Sequence, residues 1–155
     1  MIKKFLIFTL SWLFSLVLSA EQIVKLSSLK LDDARWEISI DIDKVSNVYG
    51  LQTKLSFDKN NIKILDDRFE SHDYWSEKEN IELRNFIRKD SAEYIISLVR
   101  PAKAITLKKS VLKFNIGLIE SRRTRINLEV FKISDINGEV KEFDVPNTLI
   151  IGDAK

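Results

Sequence analysis

Few residues in this sequence have the types and spacing that catalysis demands. There is one histidine, His72, and no cysteine. A Ser-His-Asp triad would have to draw on His72, which stands in a polar stretch with no nucleophile elbow and no Gly-rich phosphate loop beside it. A lone histidine in such a loop is most often a solvated side chain. A zinc centre needs several thiolate or imidazole ligands, which this composition does not supply. The carboxylates form two visible pairs. Asp41 and Asp43 alternate with Ile40 and Ile42, which puts both on one wet strand face. Asp66-Asp67 lacks the alternating oxygen ligands and closing Glu of an EF-hand loop. Glycoside hydrolysis would need two carboxylates held apart across a cleft. No catalytic residue, metal site or cofactor is therefore expected. Tyr74 and Trp75, adjacent in the polar stretch Asp66 to Asn80, are the one pair suited to stacking on a sugar. The competing expectation is that they fold back as a lid over the core, because aromatic side chains bury large areas.

The elements that carry these residues read as strands. In Val48 to Leu65, Leu51, Thr53, Leu55 and Phe57 fall on one face, and Gln52, Lys54 and Ser56 on the other. That period of two marks a strand with one buried and one wet face. Gly50, near its start, permits a bulge or a close backbone approach. Arg35 to Val45 alternates most cleanly, with Trp36, Ile38, Ile40 and Ile42 against Glu37, Ser39, Asp41 and Asp43. Ser46-Asn47 reads as a hairpin turn joining it to the next strand. Further strands are expected at Ile23 to Leu31, Ile81 to Ile87, Glu93 to Val99, Ala104 to Leu107, Val111 to Leu118 and Arg125 to Ile133. Asn137-Gly138 signals a hairpin, with closing strands at Val140 to Val145 and Thr148 to Ile151. The in-phase residues Trp36, Ile38, Ile40, Leu55, Phe57, Phe114, Ile116 and Leu128 make the expected inter-sheet core. Eight or nine short strands and no long amphipathic helix predict an all-β antiparallel sandwich.

At the N-terminus, Lys3 and Lys4 precede an apolar run from Phe5 to Leu18 that ends in Ser19-Ala20. This reads as a signal peptide over residues 1–20, cut after Ala20, and it is shorter than a spanning helix requires. A secreted or periplasmic chain with no membrane span is expected. Residues 21–155 then form one domain, held without disulfides. The chain carries 25 basic and 23 acidic residues. Both surplus lysines lie in the leader, so the mature charge is near zero and nothing points to nucleic acid.

Three stretches resemble the cohesin family, the receptor modules of cellulosome scaffolds. Phe57-Asp58-Lys59-Asn60-Asn61-Ile62-Lys63-Ile64 is similar to the family's aromatic-Asp turn-and-strand. Tyr94 to Val99, Ala104-Ile105-Thr106 and Val111 to Ile116 resemble its strand pair and following strand. Ile126 to Val130, Asp135 to Glu139 and Leu149 to Ile151 resemble its closing strands. The resemblance implies a jelly-roll sandwich of about nine strands, with no catalysis, in which one sheet face receives a protein partner of the dockerin kind. The contact strands would hold Gly50 to Phe57, Ile81 to Ile87 and Glu93 to Val99. The pleat turns Gln52, Lys54 and Ser56 outward, and with Glu82, Arg84 and Glu93 they make the expected partner-binding face. Gly50 and Gln52 stand where cellulosomal members often carry Asn and Asp. Two other readings remain open: a polysaccharide-binding sandwich using Tyr74 and Trp75, and a structural subunit of a cell-envelope or secretion assembly.

Overall fold

The structure is a computed structural model that describes residues 24–71, 73–75, 80–99, 102–120, 122–145 and 147–152. The expected signal peptide, its cleavage site and His72 lie outside these residues. The described chain forms β1 (Val24–Lys30), β2 (Arg35–Val48), β3 (Gly50–Phe57), β4 (Ile62–Ile64) and β5 (Glu70–Ser71). After a single 3-10 turn at Asp73–Trp75 come β6 (Asn80–Ile87), β7 (Ser91–Leu98) and β8 (Ile105–Leu118). The last strands are β9 (Thr124–Ser134), β10 (Val140–Glu142) and β11 (Asn147–Ile151). Three of the eleven are only two or three residues long, which accounts for the smaller number expected.

All pairings are antiparallel. A five-stranded sheet runs β1-β2-β8-β4, with β5 also beside β8. A six-stranded sheet runs β10-β9-β3-β7-β6, with β11 further along β9. The inner faces supply the core. Ile38, Ile40, Phe114 and Ile116 come from the first sheet, and Leu55, Tyr94, Ile126, Leu128 and Phe131 from the second. Phe57 and Phe114 meet across the gap at 5.8 Å between ring centroids. Phe69 stands edge-on to both Tyr94 and Phe114, closing the side of the core. Of the eight expected core residues, only Trp36 is incompletely buried. It lies near the start of β2, with the Lys30 ammonium 5.9 Å from its ring centroid.

The turn at Ser46-Asn47 does not form. β2 continues through both residues to Val48 in the first sheet, and β3 belongs to the second. Asn47 takes a left-handed backbone (φ 63°), and Val48, Tyr49 and Gly50 are all buried as the chain crosses between the sheets. Such corners are where a strand changes sheet through a bend or bulge. The two short strands expected at Ala104 to Leu118 are one long strand, β8. It follows β2 through register shifts and a second left-handed residue, Lys109 (φ 61°). The Asn137-Gly138 hairpin forms as read. Gly138 has φ 85°, and its amide donates to the Asp135 carbonyl at 3.1 Å.

Candidate functional site

The outer face of the six-stranded sheet gathers five of the six residues expected to line a partner surface. Register sets Gln52 opposite Ile95, Lys54 opposite Glu93 and Ser56 opposite Ser91 across β3 and β7. On β6, Arg84 pairs with Ile95, so it joins the same face. Arg84 Nη1 donates to Glu93 Oε2 at 2.9 Å. On the other flank, Lys54 Nζ lies 3.0 Å from Glu129 Oε2 of β9. Glu129, Lys54, Glu93 and Arg84 thus form a row of alternating charge that crosses β9, β3, β7 and β6. Hydrogen bonds from Lys54 and then Ser56 hold the Glu129 carboxyl below its ordinary pKa. A second pair, Lys132 and Glu142 at 3.1 Å, joins β9 to β10.

Glu82 does not belong to this row. β6 carries a bulge between Glu82 and Arg84, with Leu83 as the extra residue, 63% exposed. One inserted residue reverses which face its neighbours take. Glu82 therefore pairs with the core residue Ile96. It accepts hydrogen bonds from Arg68 and from Asn85 Nδ2 at the sheet edge. Strict alternation had put Glu82 and Arg84 together, and nothing in the residue types announces the bulge. Glu129, Lys132 and Glu142 were missed as members of the face. The alternation of Ile126 and Leu128 already placed Glu129 outward, but only the β3–β9 register brings it to Lys54.

Beside the charged row the face dips. Gly50 is flanked by Ser97 on β7 and Ser134 on β9. These three small residues floor a depression of about 190 Å³, with Gln52, Ile95, Lys132 and Val140 among its walls. A Cβ on Gly50 would stand 2.5 Å from Ser134 Oγ, so a side chain there would displace the serine and fill the dip. Exposed ion pairs contribute little to stability, about 0–1 kcal/mol each. Charge arranged this way acts instead on which partner is accepted, and how fast.

No family model matches the sequence, and none of the curated proteins matches it either. Solved structures do match. The second type II cohesin module from the cellulosomal adaptor ScaA scaffoldin of Acetivibrio cellulolyticus superposes with a TM-score of 0.64. It is 9% identical over 85% of this chain and 96% of its own. The fold is cohesin-like. The cohesin module of a family 33 glycoside hydrolase from Clostridium perfringens matches with a TM-score of 0.60, at 9% identity over 84% of this chain and 96% of that one. A type I cohesin–dockerin complex from Clostridium thermocellum, Coh-OlpA-Doc918, matches with a TM-score of 0.60, at 10% identity over 83% and 96%.

The loop aromatics take a different place in this cohesin-like frame. Trp75 is 3% exposed and packed in the core cluster, and Tyr74 is half-buried. The Tyr74 hydroxyl donates to the Lys108 carbonyl. With Trp75 buried, the pair does not present two open ring faces, and both side chains pack against the core. The 3-10 turn that carries it packs against β8. Among the described residues, no group of three or more His, Asp or Glu side chains is placed to hold a metal ion.

Proposed function

We propose that this chain is a non-catalytic docking module whose outer β9-β3-β7-β6 face binds a partner protein of the dockerin kind. The observation that carries the reading is the alternating row Glu129, Lys54, Glu93 and Arg84 beside the Gly50 depression. It combines a charge pattern that selects with a recess that can seat one side chain. The structural likeness supports it, since one of the matching structures is a cohesin in complex with a dockerin. The partner face consists of Gln52, Lys54, Ser56, Arg84 and Glu93, with Glu129 added and Glu82 left at its edge.

Export belongs to the same proposal: residues 1–20 act as a signal peptide, and the mature domain begins at Glu21. Among the described residues, no helix is long and apolar enough to cross a membrane. N-terminal sequencing of the natural protein should start at Glu21, and recovery of intact Met1 to Ala20 on the protein would overturn this part.

The decisive experiment is charge reversal. A partner is captured from the native secretome, identified, purified and titrated against the wild type and the Lys54→Glu/Arg84→Glu variant. The reading expects at least a tenfold rise in Kd while the thermal midpoint moves by only a few degrees. Unchanged affinity after reversal would remove this face from the interaction.

A further inference from the structure

The seam between the two sheets forms a second site, on a different surface from the docking face. β4 is an edge strand of the first sheet, and it shares a groove with Ile87, Arg88 and Lys89 at the β6–β7 turn of the second. Backbone hydrogen bonds pin this seam. The Ile87 amide donates to the Asp67 carbonyl at 2.7 Å, and the Ile119 amide to the Asn61 carbonyl at 2.9 Å. Between them runs a groove of about 360 Å³ walled by Ile62, Ile64, Ile87 and Ile119. Ile119 is 57% exposed.

Its rim is basic. Lys63, Arg88 and Lys89 line it, and no carboxylate does so among the described residues. None of these three cations is in an ion pair among those residues, in contrast to Lys54, Arg84 and Lys132 on the docking face. Arg88 instead lies over the Phe86 ring, 4.7 Å from its centroid.

The edge of β4 is open at Ile64, while the Ile62 amide is already taken by the Asp58 carbonyl at 3.1 Å. Lys63 is opposite Gly117 of β8, and the Leu65 amide donates to the Asn115 carbonyl. The Leu118 amide turns the other way, to the Ala34 carbonyl. In an antiparallel ladder successive residues point their backbone groups to opposite sides. Ile64 therefore directs its amide and carbonyl away from β8, along the groove.

We propose that this seam binds an extended acidic peptide with alternating aliphatic side chains, which adds as a strand to β4. Open backbone groups ask for another backbone, and strand addition gives affinity through main-chain hydrogen bonds and specificity through alternate side chains. The isoleucine walls take the aliphatic positions, and the three unpaired cations take the carboxylates between them. A fatty acid would satisfy the groove and the cations but leave the Ile64 backbone unpaired.

The test uses a synthetic peptide of alternating Glu and Val with a terminal fluorophore, followed by anisotropy and by amide chemical shifts. Saturable binding is expected, weakening as salt rises, with the Ile64 amide among the largest shifts. Lys63→Glu/Lys89→Glu should weaken it at least tenfold. Both positions are exposed, and circular dichroism checks that the variant is folded. A Lys-Val peptide of equal length should not bind, and laurate should not displace the acidic one. Absent or salt-independent binding, full affinity in the double variant, displacement by laurate, or a self-associated dimer occupying the groove would each overturn the proposal.

Discussion

Asn61 offers the sharpest test of how the loops are held. Its side chain is fully buried (0% exposed) in the turn between β3 and β4. Nδ2 donates to the Arg122 carbonyl at 3.0 Å, and Oδ1 accepts from the Glu120 amide at 3.0 Å. One amide therefore ties the β8–β9 connection to the β3–β4 turn. Asn61→Ala removes both hydrogen bonds, each worth about 0.5–1.5 kcal/mol net. Both bonds are part-buried, at the edge of the exposed β8–β9 connection. The expected loss is about 2 kcal/mol, within the range of about 1–3 kcal/mol set by two such bonds. Urea unfolding with an unchanged m-value measures it, and hydrogen exchange at the Glu120 amide should quicken in the same variant. Asn60→Ala, at an exposed neighbour, should stay within about 0.5 kcal/mol of wild type. A loss below that size for Asn61→Ala, or unaltered exchange at Glu120, would refute the tie.

Phe57→Ala should cost about 3–5 kcal/mol in denaturant unfolding, because it removes one ring of the inter-sheet contact and leaves a cavity. Burial pushes the Tyr94 phenol up to about 12, against about 10 for an unfolded tyrosine. The folded state then holds a proton that the unfolded chain has lost, so stability falls as pH rises from about 10 to about 12. Tyrosinate absorbance should show one phenol titrating last, and it should vanish in Tyr94→Phe. Gly50→Ala should destabilise by about 1–3 kcal/mol through overpacking against Ser134. Ser134→Ala in the same chain should recover most of that loss, as measured by thermal unfolding.

Alternation carried most of the fold. Arg35 to Ile42 and Leu51 to Phe57 each put one buried set against one wet set, and the structure keeps both phases. The exceptions have two causes. Ser46-Asn47 has the composition of a turn, yet the apolar Val48 and Tyr49 that follow are drawn inside, and tertiary burial carries the strand across to the other sheet. At Leu83 and Glu129, the residues skipped in the β6–β7 and β3–β9 ladders, bulges alter the register without any glycine or proline to mark them. The outer sheet face was legible on β3 and β7, because exposure follows the pleat, but not on β6, where the bulge at Leu83 turns Glu82 away. The row itself was not. Lys54, Glu93 and Glu129 are neighbours only through pairings between distant parts of the chain.

The crossing at Tyr49 also governs when this protein can fold. β3 takes no partner from the strands before it; its ladders are with β7 and β9. β2 has β1 on one side, but its other neighbour, β8, comes late in the chain, pairing Ile38 with Phe114. A chain that has emerged only as far as β5 can form the β1–β2 hairpin and little else, because each sheet lacks its central neighbour. Such non-local pairing slows folding toward the range of about milliseconds to seconds. A nascent chain therefore lacks the central partners of β2 and β3 until β8 and β9 have been made. Once β9 enters, a single closure completes both sides of β3 and sets Leu128 and Phe131 in the core. Truncation before β9 should therefore abolish the whole domain instead of leaving a folded half.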